Sequence, residues 1–205
     1  MSLPQTLLYL ASESPRRRQL LEQLGIRFKV IRQPIDESRQ AGEDPESLVR
    51  RLAAAKAVGG LRALTMADPK LPVLGADTVV LCEGRLLGKP QNREDGLQML
   101  SRLSGRAHEV MTAVALAWQD RYHVTLATTR VVFRPITAAE MTAYWQTGEP
   151  CDKAGGYAIQ GLGALFVERL EGSYSGVVGL PLYETANLLA QSGLGAELIM
   201  QASVT

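Results

Sequence analysis

Apolar residues occur along this chain in short unbroken runs, separated by stretches in which they recur at helical spacing. This alternation predicts a β-α-β opening. Strand-like segments at 6–11 and 27–31 bracket a helix that begins at Pro15, carries Leu20, Leu21 and Leu24 as its apolar stripe and ends at Gly25. Pro34 and the pair Asp36-Glu37 fall in a loop. Pro45-Glu46 opens a long helix through Leu48, Val49, Leu52, Ala53 and Ala57, with Lys56 late on it. Residues 72–82 form a dense apolar strand interrupted by Gly75, Asp77 and Thr78, and Glu83-Gly84-Arg85 reads as a hairpin turn. Gly88-Lys89-Pro90 precedes a helix with Leu97, Leu100 and Leu103 on one face, closed by Ser104-Gly105. Strands at 107–118 and 122–133 turn at Gln119-Asp120-Arg121, and a helix at 137–146 follows. A glycine-rich stretch at 148–163, a strand at 165–169 and an amphipathic helix at 181–192 complete the pattern. Strands and helices mixed in this order predict an α/β fold with a mixed sheet.

Length and composition narrow the class. A chain of 205 residues suits one domain, and the tail after Gly195 is too short to be another. With 22 basic and 21 acidic residues the formal charge is +1, so there is no global field for extended nucleic acid. Cys82 and Cys151 lack CxxC spacing, which suggests neither a disulfide framework nor a thiolate zinc site and makes a reducing cytoplasm the default. No apolar run approaches a membrane span of about 18 residues, and the N-terminus lacks a leader pattern. The expectation is a cytoplasmic protein with no membrane partner.

The segment Ser12-Glu13-Ser14-Pro15-Arg16-Arg17-Arg18 has the chemistry of an anion site. Ser14 suits an N-cap and Pro15 the first helical position, so free N–H groups and the positive dipole end would face whatever lies beyond the strand. Arginines in a first turn oppose that dipole, and a bound anion would offset the cost. The competing reading is a solvated charged face. Ser12, Ser14 and Arg16 are the expected phosphate donors, and Arg18 is expected to be a surface charge. Glu13 is the odd member, because a carboxylate beside phosphates weakens binding unless it points away or helps to hold a metal.

Asp77 is the most diagnostic single residue, being a carboxylate inside an apolar strand, where charge is costly unless paired or metal-bound. Its alternative is a structural carboxylate bonded to nearby backbone. Gly75 would let another group approach closely, and Thr78 adds a hydroxyl. Glu37 supplies a second carboxylate, and with Asp77 it would suit a hard divalent cation that bridges polyphosphate oxygens. Lys56, Lys89 and Lys153 read singly as solvated lysines and, if convergent with Arg16, as a triphosphate clamp. The block Gly155-Gly156-Tyr157-Ala158-Ile159-Gln160-Gly161-Leu162-Gly163 sets backbone freedom beside an amide that both donates and accepts, as a uracil or thymine edge requires. A flexible polar turn is its alternative. No Walker loop, dinucleotide fingerprint or GxSxG elbow is present, and His108 and His123 lie in predicted strands as structural residues.

Taken together, Ser12-Glu13-Ser14-Pro15-Arg16-Arg17, Asp36-Glu37, Ala54-Ala55-Lys56-Ala57, Gly75-Ala76-Asp77-Thr78, Gly88-Lys89-Pro90 and the block from Asp152 to Gly161 resemble the Maf family of nucleoside triphosphate pyrophosphatases. The resemblance runs from about Leu8 to Leu189 and, in the Gly-Tyr-Ala-Ile-Gln-Gly block and Glu171-Gly172-Ser173-Tyr174, is closer to the branch acting on dTTP and UTP than to the 7-methyl-GTP branch. It implies one elongated domain over 1–205, related to the inosine triphosphate pyrophosphatases, with two lobes around a nucleotide cleft. It also implies cleavage between the α- and β-phosphates with Mg²⁺ or Mn²⁺ as cofactor, and modified pyrimidine nucleotides are further candidate substrates. Asp77 would accept the proton of the attacking water, and Arg16, Thr78 and Gln160 would select the pyrimidine nucleotide. Ser12, Ser14, Arg16, Lys56 and Lys89 would line the phosphates, and Glu37 and Asp77 the metal. A homodimer is expected at the level of the family. The rival expectation is a nucleotide-binding regulatory protein linked to septum formation.

Overall fold

A computed structural model describes residues 6–193, and the tail after Gly195 lies outside them. The predicted β-α-β opening is present. The fully buried strand β1 (Leu8–Leu10) pairs in parallel with β2 (Phe28–Val30), and between them α1 (Pro15–Gln23) buries Leu20 and Leu21. Both strands are shorter than the apolar runs, because only three residues on each complete the ladder. The flanks still bond to it: Leu7 N–H donates to Arg27 O, and Ala11 N–H to Leu74 O. On its other side β1 pairs in parallel with β3 (Val73–Cys82), Tyr9 opposite Val73 and Leu10 opposite Leu74.

Helix α2 (Pro45–Ala63) starts at Asp44, whose side chain accepts from Ser47 N–H, and buries Leu48, Val49, Leu52, Ala53, Ala57 and Gly60. Its backbone rests directly on the sheet. A Cβ placed on Gly75 would lie 2.6 Å from both Ala53 O and Ala57 N. The group that approaches Gly75 is therefore this helix. That contact fixes Lys56, which lies between Ala53 and Ala57 in α2, against the strand that carries Asp77.

The sheet has seven strands in the order β2-β1-β3-β5-β6-β7, with β4 (Arg85–Leu87) paired antiparallel to β3 off this path. Strands β5 (Ala107–Trp118) and β6 (Arg121–Phe133) match the predicted pair, and β7 (Val167–Glu171) runs antiparallel to β6. This is the mixed α/β architecture that the pattern predicts. By internal contacts the described chain divides into two compact units, 6–77, 113–126 and 179–193 forming the first and 78–112 with 127–178 the second. The first unit holds α1, α2 and α6 (Leu182–Gln191).

The second unit contains α3 (Arg93–Leu103), capped by Asn92, and α4 (Ala138–Gln146), opened by a capping box of Thr137 and Glu140. Edge-to-face aromatic pairs form much of its core: Phe133 with Tyr157 at 4.7 Å, His108 with Phe133 at 4.9 Å and Tyr144 with Phe166 at 5.1 Å. His108 is 2% exposed and hydrogen-bonds Tyr157 Oη through Nε2 at 2.8 Å. Burial lowers its pKa to about 4, so it is a neutral core residue, as expected. His123 instead lies exposed on β6.

Two elements differ from expectation. Residues 165–169 do not begin a strand, because Leu162–Phe166 forms a 3₁₀ turn and β7 starts at Val167. A short helix, α5 (Tyr174–Val178), follows the positive-φ Gly172, too brief for a periodic signal. Cys82 and Cys151 are free thiols, and among the described residues no helix is long and apolar enough to cross a membrane.

Two outcomes follow for stability. Gly75→Ala overpacks the α2 contact and should cost about 1–3 kcal/mol or more in denaturant unfolding, whereas an unchanged midpoint would show that the helix does not rest there. The folded pKa of His108 lies below its unfolded value, so acid favours the unfolded chain, which takes up the proton first. Unfolding free energy should fall by on the order of 1 kcal/mol per pH unit between the ordinary value of 6.5 and about 4, and His108→Gln should flatten that segment of a stability–pH curve.

Candidate active site

Strand β3 places Asp77 near the carboxyl ends of the parallel pair β1–β3, the end of an open α/β sheet where ligands collect. The Asp77 residue is only 9% exposed and is not left unpaired. Lys56 Nζ donates to Asp77 Oδ1 at 2.6 Å and lies 2.7 Å from Glu37 Oε1. One ammonium thus joins two carboxylates from separate elements, the loop after β2 and the strand β3. Glu37 is the open side of the trio, its side chain 56% exposed against 15% for Lys56. The structure thus brings Glu37 and Asp77 together on Lys56 Nζ. Lys56, expected on the phosphates, lies on these carboxylates.

The N-terminus of α1 also differs in detail. Ser14 occupies the N-cap position, but its side chain makes no capping bond and the first turn contains no acidic residue. Instead Ser14 N–H donates to Ser12 Oγ at 3.3 Å. Arg17 shares that acceptor, its NH1 donating to Ser12 Oγ at 3.1 Å while Nε donates to Gly179 O at 2.8 Å. Burial lowers the Arg17 pKa below the ordinary arginine value, Asp77 and Glu37 act to raise it, and Arg16 acts to lower it. Arg17 is therefore the arginine that structure adds to the site. Position in a triple-arginine run gave no means of ranking it above its neighbours.

Glu13 is exposed and pairs with Arg32 at 2.8 Å. Arg18, expected as a surface charge, is partly exposed, donates through NH2 to Glu13 O at 3.2 Å and keeps its Nε out of water.

The remaining predicted residues belong to the second unit. Thr112 Oγ1 donates to Gly176 O at 2.7 Å, which commits its proton. Thr78 Oγ1, 3.0 Å away, is then the donor to Thr112. Lys89 and Gln160 are exposed, Lys89 between β4 and α3 and Gln160 between two 3₁₀ turns. Lys153 is spent locally, donating to Glu149 O at 2.7 Å and to Asp152 Oδ1. The glycine-rich block is not a loose turn: it folds into 3₁₀ turns at Glu149–Asp152, Ala154–Gly156 and Leu162–Phe166.

The donor set at Glu37 and Asp77 suits a hard divalent cation. Their oxygens already converge on one cationic atom, Lys56 Nζ, within hydrogen-bond distance. Among the described residues no group of three or more His, Cys, Asp or Glu side chains could hold a metal. A Mg²⁺-type ion there would rely on these two carboxylates, water and phosphate oxygens, the coordination such ions prefer.

Known proteins resemble this chain over most of its length. The chain is 53% identical over 182 residues to a dTTP/UTP pyrophosphatase of Saccharophagus degradans, covering 89% of this chain and 87% of that one. It is 52% identical to a protein of the same name from Vibrio parahaemolyticus, covering 90% and 96%, and 54% identical to one from Alkalilimnicola ehrlichii, covering 89% and 91%. A structural comparison aligns 62% of the chain with 71% of the Staphylococcus aureus Ham1 protein at TM-score 0.42 and 15% identity. Residues 7–192 match the Maf-like protein family, and the chain belongs to that family.

Proposed function

We propose that this protein hydrolyses dTTP and UTP to the nucleoside monophosphate and pyrophosphate. The observation that carries the reading is the trio Glu37–Lys56–Asp77, which pairs a half-open carboxylate with a buried one across a single ammonium. The relatives named dTTP/UTP pyrophosphatase support the substrate class, matching about nine-tenths of the chain at half identity or better.

In this mechanism Asp77 takes a proton from the water that attacks the α-phosphorus. Its near-complete burial keeps bulk water from competing for the carboxylate, and Lys56 holds one of its oxygens in place. The N–H groups at the start of α1, with Ser12, Ser14 and Arg16, bind the triphosphate, and the helix dipole favours its charge. Negative charge grows on the departing pyrophosphate, and Arg16 and Lys89 favour the transition state by opposing it, while Lys56 stays on the carboxylates. A divalent cation held by Glu37 and Asp77 would neutralise triphosphate charge when bound. Arg16, Thr78 and Gln160 select the pyrimidine nucleotide, the Gln160 amide matching the mixed donor and acceptor edge of uracil and thymine.

A panel of nucleoside triphosphates supplied with Mg²⁺ or Mn²⁺ should yield pyrophosphate rather than orthophosphate, fastest from dTTP and UTP. Absence of pyrophosphate from every nucleotide would instead favour a nucleotide-binding regulatory role. Asp77→Asn should lower kcat by about 10²–10⁴-fold while the protein stays folded, and normal turnover in that variant would remove Asp77 from the proton-accepting role. Gln160→Ala should reduce the preference for dTTP over dATP by about 10–100-fold with little loss of inorganic pyrophosphate affinity. Equal losses for all nucleotides would make Gln160 a phosphate contact.

A further inference from the structure

Gln160 is exposed on a six-residue segment, 158–163, yet a residue that reads a base must be held still. The segment is fastened on both sides of it. Ahead of Gln160, Ala158 N–H donates to Tyr144 Oη at 3.0 Å. Beyond it, Leu162 N–H donates to Glu149 Oε2 at 2.9 Å and Gly163 N–H to Glu149 Oε1 at 3.0 Å. The two anchors are themselves joined, because Tyr144 O–H donates to Glu149 Oε1 at 2.7 Å.

Proton placement gives this clasp a definite polarity. Burial foremost, and then the hydrogen bond to Glu149, raise the Tyr144 pKa well above the ordinary tyrosine value, so its hydrogen stays on oxygen and is directed to Glu149. The Tyr144 oxygen lone pairs are thus left to accept from Ala158. Burial alone would raise the Glu149 pKa, but the bonds from Gly163, Tyr144 and Leu162, with the charge of Lys153, bring it below the usual carboxylate value. A charged acceptor for two backbone N–H groups and a hydroxyl is a strong fastening.

The glycines of the segment mark how close the clasp is. A Cβ on Gly161 would collide with the Glu149 carboxylate, and one on Gly163 would lie 2.7 Å from both Tyr144 Oη and Ala158 O. Glu149 is seated in turn, following Gly148 at φ 75° and accepting Lys153 Nζ at its carbonyl. Nothing in the phosphate chemistry uses Glu149 or Tyr144.

We infer that Glu149 and Tyr144 are positioning residues for base selection, clasping segment 158–163 so that Gln160 is presented in one orientation to the pyrimidine. The inference rests on the reading of Gln160 as the residue that reads the base. Their removal acts through Gln160, on selectivity, and leaves the proton transfer at Asp77 alone.

A double-mutant cycle tests this, with kcat and KM measured for dTTP and dATP in Glu149→Gln, Tyr144→Phe, Gln160→Ala and the two double variants. The expected result is a loss of the dTTP-over-dATP preference of up to about a hundredfold in each single clasp variant, carried mainly by KM for dTTP. In the Gln160→Ala background the same substitutions should cost nothing more. Hydrogen exchange at Leu162 and Gly163 should quicken in Glu149→Gln while the rest of the protein keeps its protection, which separates a loosened clasp from a failed fold. A full further loss in the Gln160→Ala background, or an equal fall in kcat for both nucleotides, would overturn the inference. If Gln160→Ala leaves selectivity intact, the base-reading role itself fails. If Gln160→Ala abolishes selectivity while the clasp variants retain it, only the positioning role fails.

Discussion

The ammonium of Lys56 lies between two carboxylates, 2.6 Å from Asp77 and 2.7 Å from Glu37, and the rest of the site is arranged around that contact. Without the lysine, Asp77 would be a nearly buried anion lacking its cation, a loss that typically costs about 3–5 kcal/mol when one partner of a buried pair is removed. The lysine is there because α2 lies directly on β3, and α2 can do so because position 75 carries no side chain. A backbone packing constraint is in this way converted into an electrostatic one. The same carboxylates that hold Lys56 are those proposed to hold a divalent cation.

Much of this was legible in the sequence for physical reasons. A carboxylate at Asp77 within an apolar run must be paired, and β3 shows it paired. A serine–proline–arginine run after a short apolar strand marks a helix start, and α1 begins at Pro15. Other features depend on contacts distant in the chain. Nothing local reveals that Gly75 meets Ala53 and Ala57, or that Arg17 donates to Ser12 and Gly179. Ser14 keeps the extended backbone of an N-cap, but its side chain makes no capping bond, and its N–H donates to Ser12 Oγ, a contact that the spacing of the run does not reveal. The strand foreseen at 165–169 starts late because Glu149 claims the N–H groups of Leu162 and Gly163 and bends the chain into a 3₁₀ turn.

The two units carry different kinds of chemistry. Charge dominates the first: an uncapped helix start, three arginines, a lysine and two carboxylates. Directional hydrogen bonds dominate the second, where Thr112 fixes the direction of the Thr78 hydroxyl and the Glu149–Tyr144 pair fastens the segment of Gln160. Glycine serves both, allowing a helix onto a strand at Gly75 and a carboxylate onto a loop at Gly161.

In the proposed reaction water, deprotonated at Asp77, attacks the α-phosphorus. Hydrolysis of dTTP in ¹⁸O-labelled water, followed by mass spectrometry of both products, locates the attacked atom directly. The account predicts the label in thymidine monophosphate and none in pyrophosphate; label in the pyrophosphate instead would place the attack on the β-phosphorus and contradict it.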